Sequence, residues 1–372
     1  MPPKAASFPG EKGVFGMGRV ASILERAESG VRLSGEELLV LFHEAPLHDL
    51  GQAASAVRFR HNPEPVVTYI IDRNINYTNV CVYRCKFCAF YRKPADPDAY
   101  VLPFSELAKK VEETVAAGGT GILLQGGVHP SLRLDFYEGM LRFLRDRFPQ
   151  VHLHAFSAPE VAFLSRVHKL PVREVIARLK DAGLASIPGG GAEILEDETR
   201  KRIWSHAKAS TAEWLEVHRE AHALGLRTTA TMMFGVGEDY QARVEHLLRV
   251  RELQDQTGGF TAFIPWTFQE ENTALEGQVD TSGGYDYLRT LAISRLALDN
   301  FQHVQGSWLT QGTKIGQLSL FFGADDLGSI MLEENVVAAA GVYNRLDQQT
   351  MEFLIRDAGF TPKRRRTLYE PI

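Results

Sequence analysis

The chain has 372 residues, 44% hydrophobic and 23% charged with 32 glycines, a length and balance that suit a soluble enzyme built as one large α/β barrel with an extension or as two domains. Its net charge of −5 gives no general reason to expect nucleic acid or a membrane as partner. No apolar run reaches membrane-span length and the opening MPPKAASFPGEKGVFG lacks the apolar core of a secretory signal, so a cytoplasmic protein is expected.

Residues 1–16 carry Pro, Gly and Lys without periodicity and should be loose. Two helices follow, the second opened by a capping box from Ser34 to Glu37 ahead of the apolar Leu38, Leu39, Leu41 and Phe42. A third helical stretch, Leu47 to Arg58, ends at the turn HNPEP. From Val66 the pattern becomes strand, loop, helix, repeated. The candidate strands are Val66–Ile71 running on toward Tyr77, Gly121–Gln125, Val151–Phe156, Ala185–Pro188, Thr228–Phe234, Phe260–Pro265, His303–Trp308 and Gln317–Phe322. Amphipathic helices separate most of them, such as Phe104–Ala117, Leu134–Arg147, Val172–Ala182, Thr211–Leu224 and Tyr240–Thr257. Such alternation implies right-handed crossovers and a parallel sheet, and eight strands close naturally into a (β/α)8 barrel of TIM type. The expected organisation is a disordered start and helical extension over 1–60, the barrel over 61–345, and a C-terminal helix and tail over 346–372.

In such a barrel the loops after the strands build the active site. The first of them holds all three cysteines of the chain, Cys81, Cys85 and Cys88, spaced C-x3-C-x2-C. Three soft thiolates within eight positions point to a thiophilic metal rather than a disulfide. Structural zinc would want a fourth ligand, and His61 and His129 lie far outside the loop. A 4Fe–4S cluster on three thiolates instead leaves one iron open. A zinc-stabilised, noncatalytic barrel and an iron–sulfur electron carrier stay open as readings of another class.

The run from Cys81 through Phe87 to Cys88 resembles the C-x3-C-x-aromatic-C hallmark of the radical S-adenosylmethionine (SAM) enzymes. The resemblance implies that SAM chelates the open iron and is cleaved to a 5′-deoxyadenosyl radical, with Phe87 packing beside the cluster and adenine. It implies roles for three further segments. Gln125, Gly126 and Gly127 match the glycine-rich segment that holds the methionyl amino group of SAM. Glu193, after three glycines, matches a contact to the SAM ribose or to substrate; as a plain helix-terminal acid it would need no ligand. Met233 and Phe234 fall in a segment similar to the adenine-contacting one, although Thr231 departs from its first glycine and both side chains also suit ordinary core packing.

Taken together, INYTNVC, CAFYR, GGVHP, HAFS, GGGAEI, ATMMFG, FIPWTFQ and FFGADDLGS resemble the radical SAM cyclases of the futalosine route to menaquinone, over roughly residues 60–370. Aminofutalosine synthases and the deazaflavin FO synthases share the cysteine loop and glycine segments and remain alternatives. The resemblance implies dehypoxanthine futalosine as substrate: the radical takes hydrogen from ribose C4′, the carbon radical attacks the benzoate ring, and loss of a proton and an electron restores aromaticity. It also implies a reductant such as flavodoxin or ferredoxin. The proton needs a base on the substrate face, for which His154 on the third strand, Glu160 just past it, and Asp325 and Asp326 in the last loop are candidates, His154 being favoured. The basic tail matches an R-x-T-x-Y ending at Arg365, Thr367 and Tyr369, and is expected to pack back with Arg365 paired and Tyr369 buried.

Overall fold

The computed structural model describes residues 13–204 and 208–372. The extension is three helices, α1 (Gly13–Glu28), α2 (Gly35–Glu44) and α3 (Leu47–His61). The capping box is formed, with the Ser34 hydroxyl accepting from the Glu37 N–H and the Glu37 carboxylate from the Ser34 N–H, which turns Leu38, Leu41 and Phe42 into the core. Most of the expected loose start lies outside the described residues, and α1 begins at Gly13.

The barrel wall then runs β1 (Val66–Ile70), β2 (Asn74–Asn76), α4 (Phe104–Ala116), β3 (Gly121–Gln125), α5 (Leu134–Arg147), β4 (His152–Ala155), α6 (Ala158–His168), α7 (Val172–Ala182) and β5 (Ser186–Ile187). It continues through α8 (Asp197–Ile203), α9 (Thr211–Ala223), β6 (Arg227–Phe234), α10 (Tyr240–Thr257), β7 (Phe260–Thr267), α11 (Gly284–Ala297), β8 (His303–Val304) and α12 (Trp308–Leu318). The chain ends with β9 (Asp326–Ser329), α13 (Gln348–Asp357) and β10 (Thr361–Arg364). Strands β2 to β8 form a seven-stranded sheet in sequential order, and β10, β1 and β9 a second sheet in that order. Every pairing is parallel, as repeated crossovers dictate. A parallel bridge from Gln305 to Asp326 links β8 to β9, and β1 runs through Ile71, Asp72 and Arg73 into β2, so the two sheets make one wall around a central cavity. The extension caps this wall from outside, where Arg251 and Arg289 on α10 and α11 donate to the carbonyls of Leu33, Leu41 and Phe42.

Two strands fall elsewhere than the sequence suggests. The first candidate breaks into β1 and β2 because its halves serve different sheets. The eighth, Gln317–Phe322, is instead the end of α12 and a 3₁₀ turn over Ser319–Phe321, in which the Ser319 hydroxyl donates to the Gly316 carbonyl at 2.6 Å. The last wall strand is the polar run Asp326–Ser329, every residue of which is buried. The tail does more than pack on the wall, since β10 pairs with β1 from Val66–Thr361 to Tyr69–Arg364.

Candidate active site

The cysteine loop leaves the C-terminal end of β2 and is fastened along its base. The Gly127 N–H donates to the Thr78 carbonyl at 2.8 Å and the Val82 N–H to Val128 at 2.9 Å, which ties the loop to the segment after β3. Its far arm is held by the Cys81 N–H on the Arg92 carbonyl at 3.0 Å and the Arg92 N–H on Asn79 at 2.7 Å. The paired glycines make this approach possible. A Cβ on Gly126 would stand 2.6 Å from the Tyr77 ring, and one on Gly127 would run into the Val80 carbonyl.

The donor set suits an iron–sulfur cluster. Cys85 is buried and Cys81 and Cys88 half-buried. Burial pushes the Cys85 thiol up to about 12 and raises that of Cys88 against the N–H groups of Phe90 and Tyr91, so thiolates here need a strongly cationic group among them. Phe87 packs between the loop and the main core.

Beside the loop stands a buried pair that the sequence did not single out. The Lys208 ammonium donates to Glu193 Oε1 at 2.9 Å and lies 4.9 Å from the Phe87 ring centre. Glu193 has a positive φ of 41° and borders the cavity; its other oxygen, Oε2, lies 3.9 Å from the Arg200 guanidinium and has no hydrogen-bond partner among the described residues. A carboxylate with an oxygen free to accept suits a bound hydroxyl, so Glu193 fits SAM ribose or substrate. Gln125 borders the same cavity, its amide nitrogen 2.7 Å from where a Cβ on Gly190 would be, whereas Gly126 and Gly127 sit behind it against the cysteine loop. Met233 and Phe234 are 1% and 0% exposed, so contact with an adenine there would fall to their backbone.

The cavity, about 320 Å³, fills the barrel from the Gln125–Glu193 end down to a floor made by Arg365, Thr367 and Tyr369. The tail therefore enters the site. Arg365 is paired with Asp326, and Tyr369 is half-buried, stacked on His303 with ring centres 3.8 Å apart. Trp266 and Trp308 give the cavity aromatic sides, and Asn74, Thr231 and Ser307 polar ones.

The four candidate bases separate. His154 borders the cavity, as expected, with Nδ1 2.6 Å from the Ser186 hydroxyl that also meets His152. Burial drives its pKa down to about 3, with His152 and Arg365 pushing the same way, which leaves a weakly basic imidazole. Glu160 does not border the cavity; it braces the cysteine loop from behind, accepting from Tyr77, from Ser157 at 2.6 Å and from the Gly126 N–H at 3.3 Å. Asp325 and Asp326 also lie away from the cavity. Asp325 accepts from Arg295 at 2.6 Å and from the Val304 N–H at 2.8 Å, and Asp326 is held by Arg365 and Thr68. Two carboxylates the sequence reading passed over do border it. Asp72 and Glu334 border it: Asp72 opens the alternation D-x-N-x-N that runs to Asn76, and Glu334 accepts from the Asn74 amide of that run at 2.7 Å. That period-two polar pattern in a buried wall was the available signal.

Comparison with known proteins adds three findings. The family profile described as the radical SAM superfamily matches residues 75–250, and one described as the CofH/MqnC C-terminal region matches residues 257–372. Cyclic dehypoxanthine futalosine synthase of Streptomyces coelicolor is 49% identical over 351 residues, 94% of this chain and 88% of that one, and the protein of the same name from Halalkalibacterium halodurans is 45% identical, covering 95% of each. The crystal structure of methylornithine synthase superposes with a TM-score of 0.69 at 18% identity, covering 91% of this chain and 97% of that one, a likeness of fold.

Proposed function

The chain belongs to the radical SAM superfamily, and on that premise we propose that it converts dehypoxanthine futalosine to cyclic dehypoxanthine futalosine in the futalosine route to menaquinone. The observation that carries this reading is the likeness to the two cyclases, at 49% and 45% identity over 94% and 95% of this chain.

The family's 4Fe–4S cluster and SAM supply a 5′-deoxyadenosyl radical. Cys81, Cys85 and Cys88 are the residues to hold the cluster, and Gln125 and Glu193 those to flank SAM. The protein's own contribution is positional. A primary alkyl radical takes whichever suitable hydrogen is held near it, so the cavity must fix ribose C4′ toward the cysteine loop and the aromatic ring within reach of that carbon. Trp266 and Trp308 offer faces for the ring, and Asn74, Thr231 and Ser307 hydrogen bonds for the sugar. A low-potential donor of the flavodoxin or ferredoxin class reduces the cluster, and the protein works in the cytoplasm; no helix among the described residues is long and apolar enough to cross a membrane.

The test is an anaerobic assay of protein reconstituted with iron and sulfide, given dithionite, SAM and dehypoxanthine futalosine. The expected result is cyclic product and 5′-deoxyadenosine in equal amounts. SAM cleavage that this substrate does not stimulate, with stimulation by an enolpyruvyl-type benzoate instead, would move the chain to the aminofutalosine reaction.

A further inference from the structure

The cyclisation requires a proton acceptor on the side of the cavity away from the cysteine loop. Among the described residues, six titratable side chains border that cavity: Asp72, His154, Glu193, Glu334, Arg365 and Tyr369. Five are committed or unable to accept. Arg365 is a guanidinium bound to Asp326, and burial drives the Tyr369 phenol well above its usual range, so it keeps its proton. Glu193 is paired with Lys208 at the loop end. Glu334 accepts from the N–H groups of Val336 and Val337 at 2.7 and 3.0 Å on one oxygen, and from the Asn74 amide at 2.7 Å on the other. His154 is exposed to the cavity, but its imidazole has lost the basicity the step needs.

Asp72 is different in both place and partners. It sits where β1 passes into β2, two residues below Asn74 and four below Asn76, which pairs with Gln125. At roughly 3.3 Å per residue of extended chain, that sets it at most about 13 Å deeper than the Gln125 end. Its carboxylate lies against the Ser329 hydroxyl, which favours the ionised form. We infer that Asp72 is the general base of the reaction, taking the proton from the ring carbon that the C4′ radical has attacked. This rests on the functional reading above.

C4′ gives a hydrogen atom to the 5′-deoxyadenosyl radical, and the C4′ radical adds to the ring to form the new carbon–carbon bond. The cyclohexadienyl radical then loses its ring proton to Asp72 and one electron to an oxidant of the iron–sulfur class, which restores the aromatic sextet. The surroundings strengthen the base. Burial raises the Asp72 pKa; the Ser329 hydroxyl and Arg365 oppose this, while Asp326 and Glu334 add to it. A carboxylate of raised pKa holds the proton it accepts more strongly than an ordinary aspartate does.

The experiment compares wild type with Asp72→Asn and Asp72→Glu as reconstituted, SAM-loaded enzymes. Substrate binding is followed by tryptophan fluorescence, and 5′-deoxyadenosine and cyclic product are quantified from acid to neutral pH. Asp72→Asn is expected to bind substrate and form 5′-deoxyadenosine in its presence, with cyclic product per 5′-deoxyadenosine at least about tenfold down and independent of pH. In wild type that ratio should fall on the acid side, and Asp72→Glu should recover part of it. An unchanged ratio in Asp72→Asn overturns the assignment, and so does loss of substrate binding, which would make Asp72 a binding group. If wild type itself binds this substrate and yields no cyclic product, the functional reading fails and the inference with it, a result visible in the control arm.

Discussion

Arg365 grips Asp326 through two hydrogen bonds, Nε to Oδ2 at 2.5 Å and Nη2 to Oδ1 at 2.9 Å, and so fixes the tail to the last strand of the wall. Both side chains are almost fully buried, and Asp326 also accepts from Thr68 and from the Gly328 N–H. Removing the cation strands a buried carboxylate, whereas removing both charges does not. Arg365→Met should therefore lower unfolding free energy by about 3–5 kcal/mol, and Arg365→Met with Asp326→Asn should recover much of the loss. Urea unfolding of the two proteins checks this; a single variant within about 0.5 kcal/mol of wild type would mean that the tail is held by β10 alone.

The glycines after β3 give a second prediction. No flexible side chain can move aside for a methyl group at Gly127, because the obstacle is the Val80 backbone one residue before Cys81. Gly127→Ala should leave the helical far-ultraviolet signal intact and push the cysteine loop outward. Iron retained after desalting is the measurement, expected at well under half of wild type. Full retention would show that the loop can float off its seat without losing its shape.

The parts of this site legible in the sequence are those whose meaning is local. The three cysteines fall within eight positions, the paired glycines are adjacent in the chain, and the capping box of α2 spans Ser34 to Glu37. Asp325 and Asp326 looked like loop carboxylates free to do chemistry because their partners lie 30 and 39 residues away, on α11 and in the tail. The same long-range charge pairing lets the polar run Asp326–Ser329 become a buried strand, which no local propensity would suggest. Lys208 escaped notice for a related reason, since its only mark is a tertiary one, the meeting with Glu193.

Cluster ligation can be read independently of turnover. Cys81→Ala, Cys85→Ala and Cys88→Ala should each purify as folded protein that, after anaerobic reconstitution, lacks a stable 4Fe–4S absorption and cleaves no SAM, since two thiolates do not hold the cluster. Phe87→Leu should keep the cluster and slow turnover, because Phe87 supplies packing rather than a ligand. A cysteine variant with an undiminished cluster spectrum and activity would remove that thiol from the ligand set.

Glu160 links stability to pH. Burial pushes its pKa up to about 7 from an ordinary 4.5, against the hydrogen bonds it accepts from Ser157, Tyr77 and the Gly126 N–H. Between those two values the folded protein holds a proton that the unfolded chain has released, so the contribution of Glu160 to stability falls as pH rises through that window. The full difference corresponds to about 3 kcal/mol. A glutamine fits the same place. Its oxygen can accept from Tyr77 and Gly126 as Oε1 does, and its amide can donate to Ser157 Oγ where Oε2 now accepts. Glu160→Gln should therefore unfold at a higher urea concentration than wild type at about pH 8, with the advantage shrinking toward about pH 5. Every other titrating group is common to the two proteins, so the difference between their stability–pH curves isolates this carboxyl. A flat difference curve would mean that Glu160 stays ionised throughout, its three donors outweighing its burial.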